Sequence, residues 1–220
     1  IETTSQGMNF KLDNDNFSLS IPGIFNIYNA LGALAVARAL NLPTSAIQKG
    51  LSSLTLIPGR MEEINGGQPF KVFVDYAHEK QSVGLLLATA KEMGGRIILL
   101  LGAEGGGRDK AKRPAMGELA GKLADYVIVS NVDPYDDNPL EIIEDIAKIA
   151  ESQGKIRNQN LFCIEDRREG IAKALFLATA GDIVLITGKG SEQSIILGTK
   201  TIPWDDRTVV REELKKIIKI

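Results

Sequence analysis

Polar and apolar residues alternate from Ile1 to Gly23 around Asp13-Asn14-Asp15-Asn16, a pattern that predicts two hairpin strands. A lone hairpin is not stable in water, so this segment reads as the tail of a sheet begun upstream. The chain also lacks an initial methionine, and we expect it to be a fragment of a longer protein. After Pro22-Gly23, apolar Phe25, Ala30, Ala33, Leu34, Ala37 and Leu40 recur at helical spacing. Pro43-Thr44 opens a second, shorter helix to about Leu51. A stretch punctuated by Pro58-Gly59, Gly66-Gly67 and Pro69 follows, which predicts a domain boundary at Ile57, separating residues 1–57 from 58–220.

Beyond the boundary the pattern becomes strand-helix alternation. Short apolar runs at 72–74, 96–101, 126–129, 161–164 and 182–187 predict strands. Helices are predicted over 80–93, 111–123, 139–151 and 167–178, with a last short strand near Thr201 and a terminal helix over 208–219. Continuously apolar strands between helices predict an α/β fold with a mostly parallel, Rossmann-like sheet covered on both faces. Such sheets bind ligands beyond the carboxyl ends of their strands. Those ends carry Asp75 to His78, Gly102 to Asp109, Ser130 to Asp137 and Gly188 to Glu192, so the unusual chemistry gathers on one rim.

Composition narrows the function classes. The 220 residues are 44% hydrophobic and 25% charged with a formal net charge of −2, which gives no basic excess for nucleic acid. Neither a signal peptide nor a run long enough to span a membrane is present, so membrane insertion is not expected. With Cys163 as the one cysteine and His78 as the one histidine, neither an intrachain disulfide nor a Cys/His zinc cluster can form. A cytoplasmic location fits. Cys163 ends an apolar stretch and reads as a buried, inert thiol.

The run Gly105-Gly106-Gly107-Arg108-Asp109-Lys110 looks like a phosphate loop, yet the chain contains no G-x-x-x-x-G-K-[ST]. Other residues carry candidate chemistry. Asp75 suits a ribose diol or a cation, or simply caps a helix. His78 can donate to phosphate or stack on a base. Asn26 and Asn29, one turn apart, read a base edge or cap their helix. Arg60 offers a permanent forked cation for phosphate, or is merely solvated. Gly188 permits a close backbone turn, and Glu192 beyond it can hold an ammonium group.

Taken in order, "IPGIFNIYNA", "PGRME", "VDYAH", "GAEGGGRDKAKRPAMG", "DPYDDNP", "GDIVLITGKGSE" and "DDRTVVRE" resemble the Mur ligases of peptidoglycan synthesis, in the branch that adds the third amino acid of the stem peptide. The resemblance runs from about Phe17 to Leu214. It implies that 1–57 is the end of the central ATPase domain and 58–220 the C-terminal, amino-acid-binding Rossmann-like domain. The phosphate loop, the magnesium ligands and a modified lysine then belong upstream, and this chain alone is expected to be inactive. The implied reaction uses ATP and Mg2+ to phosphorylate the carboxylate of a UDP-N-acetylmuramoyl-peptide, after which a free amino acid attacks the acyl phosphate. The implied enzyme is monomeric.

By resemblance Asn26, Asn29, Arg60, Asp75 and His78 are ATP-binding, and Asp133, Tyr135, Gly188 and Glu192 bind the amino acid. No metal ligand is implied within the chain. Asp205, Asp206 and Arg207 are expected to organise the terminal helix. In one place the chain departs from the pattern. Diaminopimelate-adding members carry Asp-Asn-Pro-Arg where this chain has Asp133-Pro134-Tyr135, preceded by Val132. A Tyr cannot pair bidentately with a distal carboxylate. With Asp133, Asp136 and Asp137 nearby, and Glu104 in the glycine loop, the expected substrate is a lysine-like amino acid. The competing readings are a related ligase of the cyanophycin synthetase or folylpolyglutamate synthase type, and a non-catalytic nucleotide- or peptide-binding module.

Overall fold

The structure is a computed structural model describing residues 1–4 and 7–218. It divides into two compact units, 1–57 and 58–220. The expected helix end at Lys219 lies outside the described residues.

The first unit contains β1 (Glu2–Thr4), β2 (Gly7–Leu12), β3 (Asp15–Leu19), α1 (Ile24–Ala39) and α2 (Thr44–Ser53). The strands form an antiparallel sheet in sequence order, one strand more than the pattern predicted. Phe10 and Phe17 pair across β2 and β3 with ring centroids 5.3 Å apart. Met8, Leu19, Ile27, Leu34 and Ile47 pack with them. Of α1, only a stripe of Asn26, Ile27, Ala30 and Leu34 is buried.

The second unit holds β4 (Glu62–Glu63), β5 (Lys71–Asp75), α3 (Lys80–Met93), β6 (Ile97–Leu101), α4 (Lys112–Leu123), β7 (Tyr126–Val129), α5 (Pro139–Ser152), β8 (Leu161–Cys163) and α6 (Arg167–Leu177). It continues through β9 (Ile183–Thr187), β10 (Ser194–Leu197), β11 (Lys200–Pro203) and α7 (Asp206–Ile217). The main sheet runs β4-β5-β9-β6-β7-β8, with only β4 antiparallel. This is the α/β, mostly parallel sheet that the pattern predicted. Every residue of β6 and β9 is buried, because helices cover both faces. The chain steps β5 to β6 to β7 to β8 in one direction, so right-handed crossovers put α3, α4 and α5 on one face. It then returns from β8 to β9, which sends α6 to the other face, where it packs with α7. There Val72, Val74, Ile98, Leu100, Val184 and Ile186 meet Ile171, Leu175, Val210 and Leu214. Because β7 feeds one face and β8 the other, a crevice opens between their carboxyl ends.

Two elements differ from the pattern. The single strand expected near Thr201 is a hairpin, β10 with β11. β4 is two residues long, too short to show a period inside what reads as linker. Asp205 does cap α7, accepting from Arg207 N at 2.9 Å. Asp206 instead forms a buried ion pair with Arg167, through Nε to Oδ1 at 2.8 Å and Nη2 to Oδ2 at 2.6 Å. No helix among the described residues is long and apolar enough to cross a membrane.

At the opposite, amino end of the sheet, Asp182 accepts from Arg96 Nε at 3.0 Å, Arg96 Nη2 at 2.6 Å and Thr179 N at 2.7 Å. The Arg96 bonds outweigh burial and hold its carboxyl below the ordinary value. A carboxyl lowered by folding contributes stability above its unfolded pKa and loses it as pH falls through the folded one. Stability will therefore decline as pH drops from about 4, and Asp182→Asn will flatten that acid limb in pH-dependent urea unfolding. An unchanged limb would assign the acid sensitivity elsewhere.

Candidate functional site

The rim residues of the second unit converge around the end of β9. Asp75 closes β5 and is buried. Its Oδ2 accepts from Met61 N at 2.7 Å and its Oδ1 from Ala77 N at 2.8 Å. Burial pushes its pKa up, against those two bonds and the nearby Arg60 charge. Asp75 thus pins the turn carrying Arg60, and each oxygen keeps one acceptor position for a ligand. The same turn is held by Glu62, which accepts from Gly59 N at 3.0 Å. Gly59, with φ 64°, lies so close to the loop after β9 that a Cβ would stand 2.1 Å from Ser191 N, so only glycine fits.

Arg60 is exposed and makes no ion pair among the described residues. Its guanidinium carbon lies 4.4 Å from the Tyr76 ring centroid, a cation–π arrangement. His78 meets the same ring edge-on at 4.6 Å. Its Nδ1 lies 2.8 Å from the Tyr76 carbonyl. A carbonyl only accepts, so Nδ1 carries the proton and Nε2 is left as an acceptor in the neutral ring. Asn26 and Asn29 belong to the first unit. Asn26 is buried, donates through Nδ2 to Pro22 O at 2.6 Å and accepts from Asn29 Nδ2 at 3.2 Å. That pair ties the start of α1 to the chain before it.

On the other side of Tyr76 lies the acidic half of the rim. Its hydroxyl donates to Glu192 Oε1 at 2.9 Å. Glu192 Oε2 lies 2.5 Å from Lys189 Nζ, which also donates to Asp133 Oδ2 at 2.7 Å. Asp133 Oδ1 accepts from Ile196 N at 2.8 Å, which draws β10 to the end of β7. Gly188, at φ 105°, turns the chain there and donates its N–H to Asp75 O at 3.2 Å. Lys189 is 1% exposed, and the sequence reading missed it. A Lys between two glycines carries no sign in the sequence of which distant carboxylate it meets. Two carboxylates sharing one ammonium keep a net negative charge, and Glu192 is the partly open one.

Of the four carboxylates behind the lysine expectation, only Asp136 is exposed without an ion pair among the described residues. Asp133 is neutralised by Lys189 rather than left as free negative charge. Asp137 lies 3.4 Å from the buried Arg113, which also pairs with Asp145 at 2.9 Å. Glu104 accepts from Lys112 at 2.9 Å. Burial alone would push the Glu104 carboxyl up, but the Lys112 bond and charge hold it below its ordinary value. Tyr135, half-buried, lies against Gly106, where a Cβ would stand 2.8 Å from its ring. The exposed Arg108 guanidinium stands 6.0 Å from the centroid of that ring. An exposed cation outside any ion pair among the described residues therefore flanks Tyr135, supplied by the glycine loop.

The crevice between β7 and β8 forms a cleft of about 660 Å³ lined by Asn131, Pro134, Tyr135, Asp137, Glu165, Asp166 and Glu169 among others. Cys163 also lines it and is exposed, contrary to the buried thiol expected, because β8 ends at the crevice. Partial burial of its sulfur still pushes the thiol pKa up, which keeps it protonated near neutrality. Among the described residues no group of three or more His, Cys, Asp or Glu is placed to hold a metal ion.

The chain is 42% identical over 219 residues to a UDP-N-acetylmuramoyl-L-alanyl-D-glutamate--2,6-diaminopimelate ligase of Caldanaerobacter subterraneus subsp. tengcongensis, covering 97% of this chain and 44% of that protein. It is 39% identical to a UDP-N-acetylmuramyl-tripeptide synthetase of a Roseiflexus species, covering 99% of this chain and 43% of the relative. The chain thus spans less than half the length of these relatives. A solved structure of a UDP-N-acetylmuramoyl-L-alanyl-D-glutamate--2,6-diaminopimelate ligase superposes with a TM-score of 0.67 at 30% identity, covering 94% of this chain and 41% of that one. The same fold recurs at 19% identity in a Mycobacterium tuberculosis folylpolyglutamate synthase, with a TM-score of 0.66 over 100% of this chain and 47% of that one. Residues 59–190 match the family described as Mur ligase, glutamate ligase domain, and the chain belongs to that family.

Proposed function

We propose that this chain is the C-terminal part of a cytoplasmic, ATP-dependent acid–amino-acid ligase that adds the third residue to a UDP-N-acetylmuramoyl-dipeptide in peptidoglycan synthesis. In this reading residues 1–57 end the central ATPase domain, and phosphate-loop and magnesium ligands lie upstream. The single observation that carries the reading is the rim of the second unit. It sets a net negative ammonium-holding spot at Glu192, hydrogen-bonded to Tyr76, whose ring carries the exposed Arg60 cation on its face. An amino acid condensing with an acyl phosphate needs both. The amine is held by a carboxylate, and the phosphoryl charge is met by a cation.

The chain's own residues divide the work. Arg60 contributes forked donors to phosphate, Asp75 and His78 contribute acceptors to the nucleotide, and Asn26 and Asn29 order the start of α1 on the adenine side. Glu192, steadied by Lys189, orients the incoming ammonium, while the Gly188 turn and Asp133 shape the pocket around Tyr135. The reading also names the amino acid. Arg108 replaces the missing arginine as partner for a distal carboxylate, so the substrate is 2,6-diaminopimelate rather than lysine. Closure of the unit over the reactants keeps water from the acyl phosphate.

The full-length ligase will release phosphate only when ATP, the UDP-linked dipeptide and an amino acid are all present, with higher kcat/KM for meso-2,6-diaminopimelate than for lysine. Arg108→Met will lower kcat/KM for diaminopimelate on the order of tenfold and leave lysine within about threefold, since lysine lacks the second carboxylate. Lack of amino-acid-dependent phosphate release would overturn the function. A wild-type preference for lysine, or equal losses in the variant, would overturn the role of Arg108.

A further inference from the structure

Tyr76 stands between the two halves of the rim and belongs to neither set of residues named above. Its ring carries Arg60 on one face at 4.4 Å and His78 at its edge at 4.6 Å. Its hydroxyl donates to Glu192 Oε1 at 2.9 Å, across 116 positions of sequence. The loop after β9 leans on it from a third side, since a Cβ on Gly190 would stand 2.8 Å from Tyr76 Cβ. We infer that Tyr76 is a positioning residue that sets the amino-acid subsite from the nucleotide side: its hydroxyl fixes the carboxylate plane of Glu192, while its ring shelves Arg60. The inference rests on the function proposed above and deepens it.

The physical case is one of degrees of freedom. A glutamate has three side-chain torsions, and Lys189 restrains only one of its oxygens. An ammonium needs the carboxylate turned toward it, and the phenol, held between the His78 ring and the Arg60 cation, supplies the second restraint. Burial, followed by the bond to Glu192 and its charge, pushes the phenol pKa up. The hydroxyl therefore stays a donor throughout the working pH range.

Tyr76→Phe separates the two duties, because it keeps the ring and removes the hydroxyl. In the full-length ligase it will raise the KM for the amino acid about tenfold, the scale of a lost hydrogen bond to a charged group. The KM for ATP will stay within about twofold. Because the hydroxyl acts through Glu192, the double variant Tyr76→Phe/Glu192→Gln will bind amino acid no worse than Glu192→Gln alone. A merely structural tyrosine would show neither the split nor the non-additivity. An unchanged amino-acid KM in Tyr76→Phe, an equal rise in both KM values, or multiplying losses in the double variant would overturn the inference while leaving the ligase reading intact. A wild-type protein without amino-acid-dependent phosphate release would overturn both.

Discussion

Arg167→Met will destabilise the second unit by about 3–5 kcal/mol, the loss seen when one partner of a buried ion pair is removed. Arg167 and Asp206 have side chains only 1% and 0% exposed. The guanidinium also donates to Asn131 O at 2.9 Å and Thr187 O at 2.7 Å, so it ties together the ends of β7 and β9, the starts of α6 and α7, and both loops of the amino-acid pocket. Methionine fills much of the same space but leaves Asp206 with only the Trp204 Nε1 donor, at 2.8 Å, and strips two carbonyls of a partner. Trp204 is the chain's only tryptophan, so its fluorescence in urea reports this unit directly. Arg167→Met/Asp206→Leu, which removes both charges, will recover part of the loss. A single variant within about 1 kcal/mol of the parent would show that water reaches the pair and that it is not the clamp its burial implies.

The fold was legible where one physical signal dominated. β6 and β9 are continuous apolar runs bounded by glycine and polar residues, so their sequence alone marks them as central strands. Pro139 after Asn138 marks the start of α5, and Asn138 does cap it, accepting from Leu140 N at 3.0 Å. β4 and β10 were not legible, because β4 is too short to show a period and β10, four residues ending in a tight hairpin with β11, carries no alternation of its own. The site was half legible for the same reason. Glycine loops and carboxylates at strand ends locate the rim. Which carboxylate is free depends on pairings across the sheet, and local sequence does not carry them. Asp133 reads as acidic pocket wall but is spent on Lys189, 56 positions away. "RDKAKRP" reads as one basic cluster, yet Lys112 and Arg113 are buried among carboxylates, and of its four cations only Arg108 and Lys110 are exposed. Charge counted along the chain therefore missed which groups beside Tyr135 stay open, Asp136 and Arg108 among them.

Lys189→Met will abolish saturable use of the amino acid, raising its KM by about a hundredfold or more, while costing about 3 kcal/mol of stability. The two losses have separable causes. Stability falls because Asp133, 6% exposed, would keep its charge with only the Ile196 N–H to meet it. Function falls because Glu192 would lose the ammonium that draws it inward and would face Asp133 across an uncompensated gap. Lys189→Met/Asp133→Asn tests this separation, since it removes the buried charge together with its counter-ion. The double variant should regain about half of the lost stability in urea unfolding and still bind amino acid as poorly as Lys189→Met. If the double variant instead restored amino-acid use, Lys189 would matter only as the neutraliser of Asp133. Glu192 would then hold its orientation through Tyr76 alone.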